Sequence, residues 1–237
     1  MESDVKSAGA TVKAEAPARR NTLVGMACMA ASAFLFMTGN AIIKLLAQSG
    51  IPPIETVLFR STMSLIILAP FAISAATALR TSKPGLHVLR GLVQAGSMIC
   101  FFTGIASPAV TLTEANALEF TSPIFATLLA ALFFGETVRT RRLVAMAAGF
   151  LGALVALRPG FAEITDGHWL MLLANILWAA VLLMIRNLSR TESALTQSLY
   201  IGLVLTPLAA IFAMPAWVTP DATQLALLCT VGATART

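Results

Sequence analysis

Apolar residues along this chain come in long runs separated by short polar connections. A helix that crosses a bilayer needs about 20 predominantly apolar residues. Seven runs reach or approach that length, at roughly 23–47, 54–78, 86–106, 110–134, 142–158, 168–188 and 195–217, the fifth being short. An eighth begins near Ala222 and gives way to TART after ATQLALLCTVGA. The pattern predicts an all-α protein, a polytopic membrane helix bundle, whose chain is expected to stop within its eighth helix.

Charge adds orientation to this picture. Only 11% of the 237 residues are charged and 57% are hydrophobic, whereas soluble domains carry about 25% charged residues. The net charge of +5 would suit nucleic acid, but the basic residues lie between the apolar runs. Lys6, Lys13, Arg19 and Arg20 precede the first run, and Arg80, Lys83 and Arg90 fall around the second connection. Arg139, Arg141 and Arg142 mark the fourth connection, and Arg186 and Arg190 the sixth, while Arg158 stands alone in the alternate connections. Basic connections stay on the cytoplasmic side. The expected location is therefore the cell (inner) membrane with a cytoplasmic N-terminus. Residues 1–22, polar and rich in alanine, are expected to form a disordered cytoplasmic tail.

An internal repeat is visible at a constant offset. Gly25 and Lys44 in the first span stand 142 positions before Gly167 and Arg186 in the sixth, and the same offset matches Phe36 to Trp178 and Ile43 to Ile185. Five spans separate the copies, so the second enters the membrane from the opposite side, an inverted repeat of the kind found in secondary transporters. The domains expected are the tail, a first five-helix repeat at 23–158, and an incomplete second repeat at 167–237. The latter holds two full helices and part of a third, giving seven to eight helices of an expected ten.

Residues 91–160 resemble the second half of an EamA-type repeat of the drug/metabolite transporter superfamily. The resemblance is carried by a short outer turn at Ser107-Pro108-Ala109 and by Pro123 in the fourth span. Gly135-Glu136 at that span's inner end and a glycine-rich fifth span complete it. It implies a permease built of two inverted five-span repeats that moves small metabolites by alternating access.

The fourth span contains the costliest residue. Glu119 lies inside EANALEFTSPIFATLLAALFFGE, and an acid at membrane depth needs a reason. Asn116, Glu119 and Pro123 share one helical face. Pro123 also deprives the Glu119 carbonyl of its amide partner, with Thr121 and Ser122 at hand to compensate. Glu119 is accordingly a candidate to bind a cationic group or cycle a proton, against the alternative of a protonated or interfacial carboxyl. Glu136 and Gly135 read as structural markers of the inner boundary. Lys44, with Asn40 one turn earlier, either snorkels outward or pairs with Glu114 or Glu119. Arg60 either snorkels or pairs with a carboxylate inside the bundle. Gln94, Asn175 and Trp178 are further candidates for contact with a solute, with helix packing as the plainer role for each.

Cys28, Cys100 and Cys229 are spread through apolar runs without metal-site spacing, and His87 and His168 receive no role. No phosphate loop, dinucleotide turn or HExxH occurs, so no cofactor, metal or catalytic residue is expected. The function expected is secondary transport of a small metabolite or drug-like solute. The alternatives are a non-transporting truncated remnant and an intramembrane lipid-modifying enzyme. Expected partners are a small-molecule solute, the lipid bilayer, H+ or another coupling ion, and a second copy of the chain in a homodimer, with no nucleic acid.

Overall fold

The computed structural model describes residues 2–74, 81–135, 140–157 and 164–234, and among them every long element is a helix. In chain order these are α1 (Glu2–Gln48), α2 (Pro53–Ser74), α3 (Pro84–Ala106), α4 (Leu112–Glu119), α5 (Ser122–Phe134), α6 (Thr140–Leu157), α7 (Asp166–Leu188), α8 (Ala194–Ala213) and α9 (Ala222–Thr234). Among the described residues five stretches are long and apolar enough to cross a membrane: Gly25–Gln48, Pro84–Ala106, Leu112–Phe133, Asp166–Leu188 and Ala194–Ala216. Shorter apolar helices occupy Leu143–Gly152 and Ala222–Gly232. The polytopic all-α architecture is thus present.

Helix α1 runs from Glu2 through the residues assigned above to a tail. Their alanines, lysines and glutamates are strong helix formers, and a helix extends more readily from a formed one than it nucleates afresh. One expectation needs correction: the fourth span is not one helix but breaks at Phe120-Thr121 into α4 and α5. Glu136 lies outside the described residues. Gly135 is the left-handed C-cap of α5, with φ +63° and its N–H on the Ala131 carbonyl, a conformation glycine adopts without a Cβ penalty.

Residues up to Thr38 form one unit and those from Gly39 onward another. In the first, Met29 and Phe34 are exposed, as suits a helix solvated by lipid. In the second, Leu46, Ile51, Ile105, Val110 and Met171 are fully buried and form one apolar core.

Close approach within this core rests on small residues, the usual device where helices pack in lipid. A Cβ on Gly104 of α3 would sit 2.5 Å from Met171 Cγ and 2.8 Å from the Gly167 carbonyl of α7. Gly202 of α8 admits Leu65 of α2 in the same manner. Ser97 adds a hydrogen bond from its hydroxyl to the Ala174 carbonyl at 2.9 Å.

Polar ties then fasten the two ends of the bundle. At the end carrying the α3–α4 turn, the Thr111 hydroxyl accepts the Glu114 N–H, and Glu114 accepts the Thr111 N–H in return at 2.7 Å. Glu114 also stands 3.7 Å from His168 at the start of α7. Glu55 of α2 accepts the Val218 N–H between α8 and α9, and Gln224 of α9 donates to the Ser49 carbonyl. At the opposite end Glu192, between α7 and α8, accepts the Thr81 hydroxyl at 2.7 Å and the Ser82 N–H at 3.2 Å. Beside it His87 stacks on Tyr200 with ring centroids 4.5 Å apart, and Arg90 donates to Gln197 at 2.9 Å.

Two predictions follow from these contacts. Gly104→Ala should lower the melting temperature of the detergent-solubilised protein by the equivalent of about 1–3 kcal/mol, the usual cost of overpacking. Gly85→Ala, where an added Cβ meets nothing within 4 Å, should leave it unchanged; equal melting temperatures for all three proteins would refute the close α3–α7 packing. The second concerns acid. The Thr81 hydroxyl, aided by the Ser82 N–H and the field of His87 and opposed by partial desolvation, holds the Glu192 carboxyl below its usual value. A carboxyl depressed in the folded state stabilises it above the unfolded value of about 4.3. That stabilisation is lost as pH falls through the lower folded value. The melting-temperature gap between wild type and Glu192→Gln should therefore narrow below pH ~4, and a gap independent of pH would exclude this tie.

Candidate functional site

The break in the fourth span sets the geometry of the candidate site. Pro123 stands in the first turn of α5, where its missing N–H costs nothing. The preceding turn gathers its donors on the Leu118 carbonyl. That oxygen accepts the Thr121 N–H at 2.9 Å, the Thr121 hydroxyl at 2.6 Å and the Asn175 amide of α7 at 2.8 Å. Asn175 also donates to the Thr121 hydroxyl oxygen at 3.3 Å. Thr121 compensates the break as its position suggests, but the carbonyl engaged belongs to Leu118 rather than Glu119. A buried amide from a neighbouring helix supplies the rest.

Just before the break, α4 turns Asn116 and Glu119 toward α1. The buried Asn40 amide donates to Asn116 Oδ1 at 3.2 Å and to the two Glu119 carboxylate oxygens at 3.4 and 3.5 Å. Three of the residues predicted from sequence thus converge at one place. Arg60 of α2 has its guanidinium carbon 5.9 Å from the centroid of the Phe102 ring, and it shares an electrostatic interaction with Glu119. No ion-pair contact joins the two among the described residues.

Lys44 departs from the expected pairing. Its ammonium donates to the Val110 carbonyl, and to that of Ile105 at 3.4 Å, and among the described residues it forms no ion pair with a carboxylate. Glu114 is engaged instead by Thr111 and His168. The reason is local: the turn after α3 leaves carbonyls without helical partners, and a lysine one helix away reaches them.

A cavity of about 670 Å³ lies between α2, α3 and α8. Arg60, Gln94 and Ser198 give it polar groups, and Met98, Ile201 and Leu205 apolar walls. The Gln94 carbonyl oxygen Oε1 is buried without a hydrogen-bond partner. Sequence reasoning had identified Arg60 and Gln94 but not α8. Its contribution is one serine, a glycine and aliphatic side chains, which give no signal against an apolar background. Gln197 within α8 was the available clue, and it faces Arg90. Trp178, half-buried, is not part of the cavity lining. Among the described residues no group of three or more His, Cys, Asp or Glu could hold a metal ion.

Residues 23–158 match the EamA-like transporter family. The chain belongs to the EamA-like transporter family. Its relatives include a riboflavin transporter of Brucella anthropi, 34% identical over 194 residues, which cover 78% of this chain and 67% of the relative. A riboflavin transporter of Vibrio cholerae is 28% identical over 213 residues, 89% of this chain and 71% of the relative. An S-adenosylmethionine uptake transporter of Rickettsia prowazekii is 32% identical over 179 residues, 75% of this chain and 60% of the relative. The matched region thus amounts to between 60 and 71% of the length of these three relatives. The relatives are transporters rather than enzymes, and with its apolar helices the EamA-like chain is a multi-pass membrane protein.

Proposed function

We propose that this chain forms the solute-handling part of a secondary transporter that moves a small metabolite across the cytoplasmic membrane by alternating access. The observation that carries the reading is the meeting of Asn40, Asn116 and Glu119 at a broken helix, within electrostatic reach of Arg60 on the cavity wall. Broken spans and buried charges are expensive in a bilayer, and carriers place their sites where such costs are incurred.

In this reading the solute enters the α2–α3–α8 cavity and meets Arg60 and Gln94. Glu119, steadied by Asn40, is the group that a proton or other cation joins during the cycle. Asn175 maintains the break, and Lys44 fastens the α3–α4 turn. The N-terminus is cytoplasmic, and residues from 167 onward form a second, inverted copy of 23–158. The cavity reaches Ala194 and Leu195 in the first turn of α8, toward the end expected in the cytoplasm. Polar ties hold both ends, through Glu192 and Arg90 at this one and through Glu114, Glu55 and Gln224 at the other. The names of the relatives support a solute in the size range of riboflavin and S-adenosylmethionine.

Uptake of these two compounds into proteoliposomes containing the purified chain tests the proposal. Glu119→Gln should reduce the rate of the transported compound by about tenfold or more, equivalent to a barrier change of about 1.4 kcal/mol. An unchanged rate would remove Glu119 from the mechanism.

A further inference from the structure

His87 of α3 is 1% exposed, and neither of its ring nitrogens has a hydrogen-bond partner. A neutral imidazole carries one N–H donor and one acceptor. Whichever tautomer is present, a donor is buried without an acceptor, a cost that an apolar ring of similar shape would avoid. The contact the ring does make is its stack on Tyr200 of α8, with centroids 4.5 Å apart and planes 23° from parallel. This stack belongs to a seam between α3 and α8 at the end expected in the cytoplasm. One turn along the seam Arg90 donates to Gln197 Oε1, and the Gln197 amide is directed to the Ser189 hydroxyl and the Glu192 carbonyl. The charged groups at this end, among the described residues, are Lys83, Arg90, Arg186, Arg190 and Glu192. The fields of Glu192 and Arg90 reach the ring, but no carboxylate stands within ion-pair distance of it. The Glu192 carboxylate accepts instead from Thr81 and Ser82.

We propose that His87 is a proton-binding site that controls this seam: the neutral ring clasps α3 to α8 through Tyr200, and a proton bound there parts the two helix ends. Protonation makes both ring nitrogens donors and sets a second positive charge one turn from Arg90 on the same helix. The closed seam offers neither donor an acceptor, because Gln197 Oε1 already receives Arg90 and Glu192 already receives Thr81 and Ser82. A buried charge without a partner is among the costliest states a protein can hold. Two responses relieve it. The ring swings out of the seam into water, which breaks the stack, or Glu192 moves to the ring, which releases Thr81 and Ser82. Both loosen the same end of the bundle. A ligand shifts an equilibrium toward the state that binds it better, and the parted seam, where water reaches the imidazole, binds the proton better. Acid therefore favours the parted state. The α2–α3–α8 cavity reaches Ala194 and Leu195 beside this seam, so parting it widens the cavity at that end. Histidine suits the task because its ordinary titration lies within the physiological range.

The test reads a distance in the full chain, reconstituted in nanodiscs with Cys28, Cys100 and Cys229 replaced by alanine. Spin labels are attached through Gly85→Cys and Ala194→Cys, at exposed positions in the first turns of α3 and α8. An added Cβ at Gly85 meets nothing within 4 Å. Double electron–electron resonance is recorded at pH ~8 and pH ~5, on either side of the ordinary histidine value of about 6.5. The distance should lengthen in acid by about 5 Å, one helical turn. His87→Phe keeps an aromatic ring for Tyr200 and takes no proton, so its distance should stay short at both pH values. His87→Gln should likewise give one distance at both, whether its seam rests closed or parted. Glu192→Gln should retain the acid response, because the proton acts at His87. An unchanged distance in the parent protein would overturn the proposal. So would an acid response that survives both His87 variants, or one that vanishes in Glu192→Gln. No solute is present, so a negative result leaves the transport reading untouched.

Discussion

The carbonyl of Leu118 is the point on which the rest of the site depends. A membrane helix cannot leave backbone groups unsatisfied in hydrocarbon, where each costs several kcal/mol. The fourth span nevertheless breaks, because Thr121 and Asn175 supply the donors that a continuous helix would have supplied. Asn175 comes from α7, so the break is stable only while α4 and α7 remain packed. The same packing depends on the glycine at 104, which lets α3 approach α7, and on Glu114 and His168 at the adjoining helix ends.

Once the span is broken, its polar face becomes affordable. Asn116 and Glu119 are one helical turn apart and meet a single donor, Asn40, on α1. An acid held by a neutral amide retains capacity for another partner, which a direct ion pair with Arg60 would consume. Arg60 keeps its own capacity because its guanidinium rests on the Phe102 ring and faces the cavity. These two charges are close enough to interact but do not form an ion pair among the described residues.

Much of this was legible in the residues. Periodicity alone placed Asn116, Glu119 and Pro123 on one face, and the cost of polar groups in lipid singled out Asn40, Gln94, Arg60 and Asn175. The partners were less accessible. Lys44 has a long, flexible side chain, and its acceptors are backbone carbonyls at Ile105 and Val110, which carry no sequence signal. His87 and His168 had no motif to mark them, since stacking on Tyr200 and proximity to Glu114 arise only when distant helices meet. The cavity wall supplied by α8 escaped notice because it is largely aliphatic.

The central claim is that Pro123 and Asn175 act together to make and hold one break. A double-mutant cycle on unfolding free energy in mixed micelles tests it most directly, using Pro123→Ala, Asn175→Ala and the combined variant. Residues acting on one element show coupling of about 0.5–3 kcal/mol, whereas independent sites add within about 0.3–0.5 kcal/mol. The account predicts coupling in the former range, with the combined loss smaller than the sum, because a helix made continuous by Pro123→Ala no longer needs the amide of Asn175. Simple additivity of the two losses would contradict it.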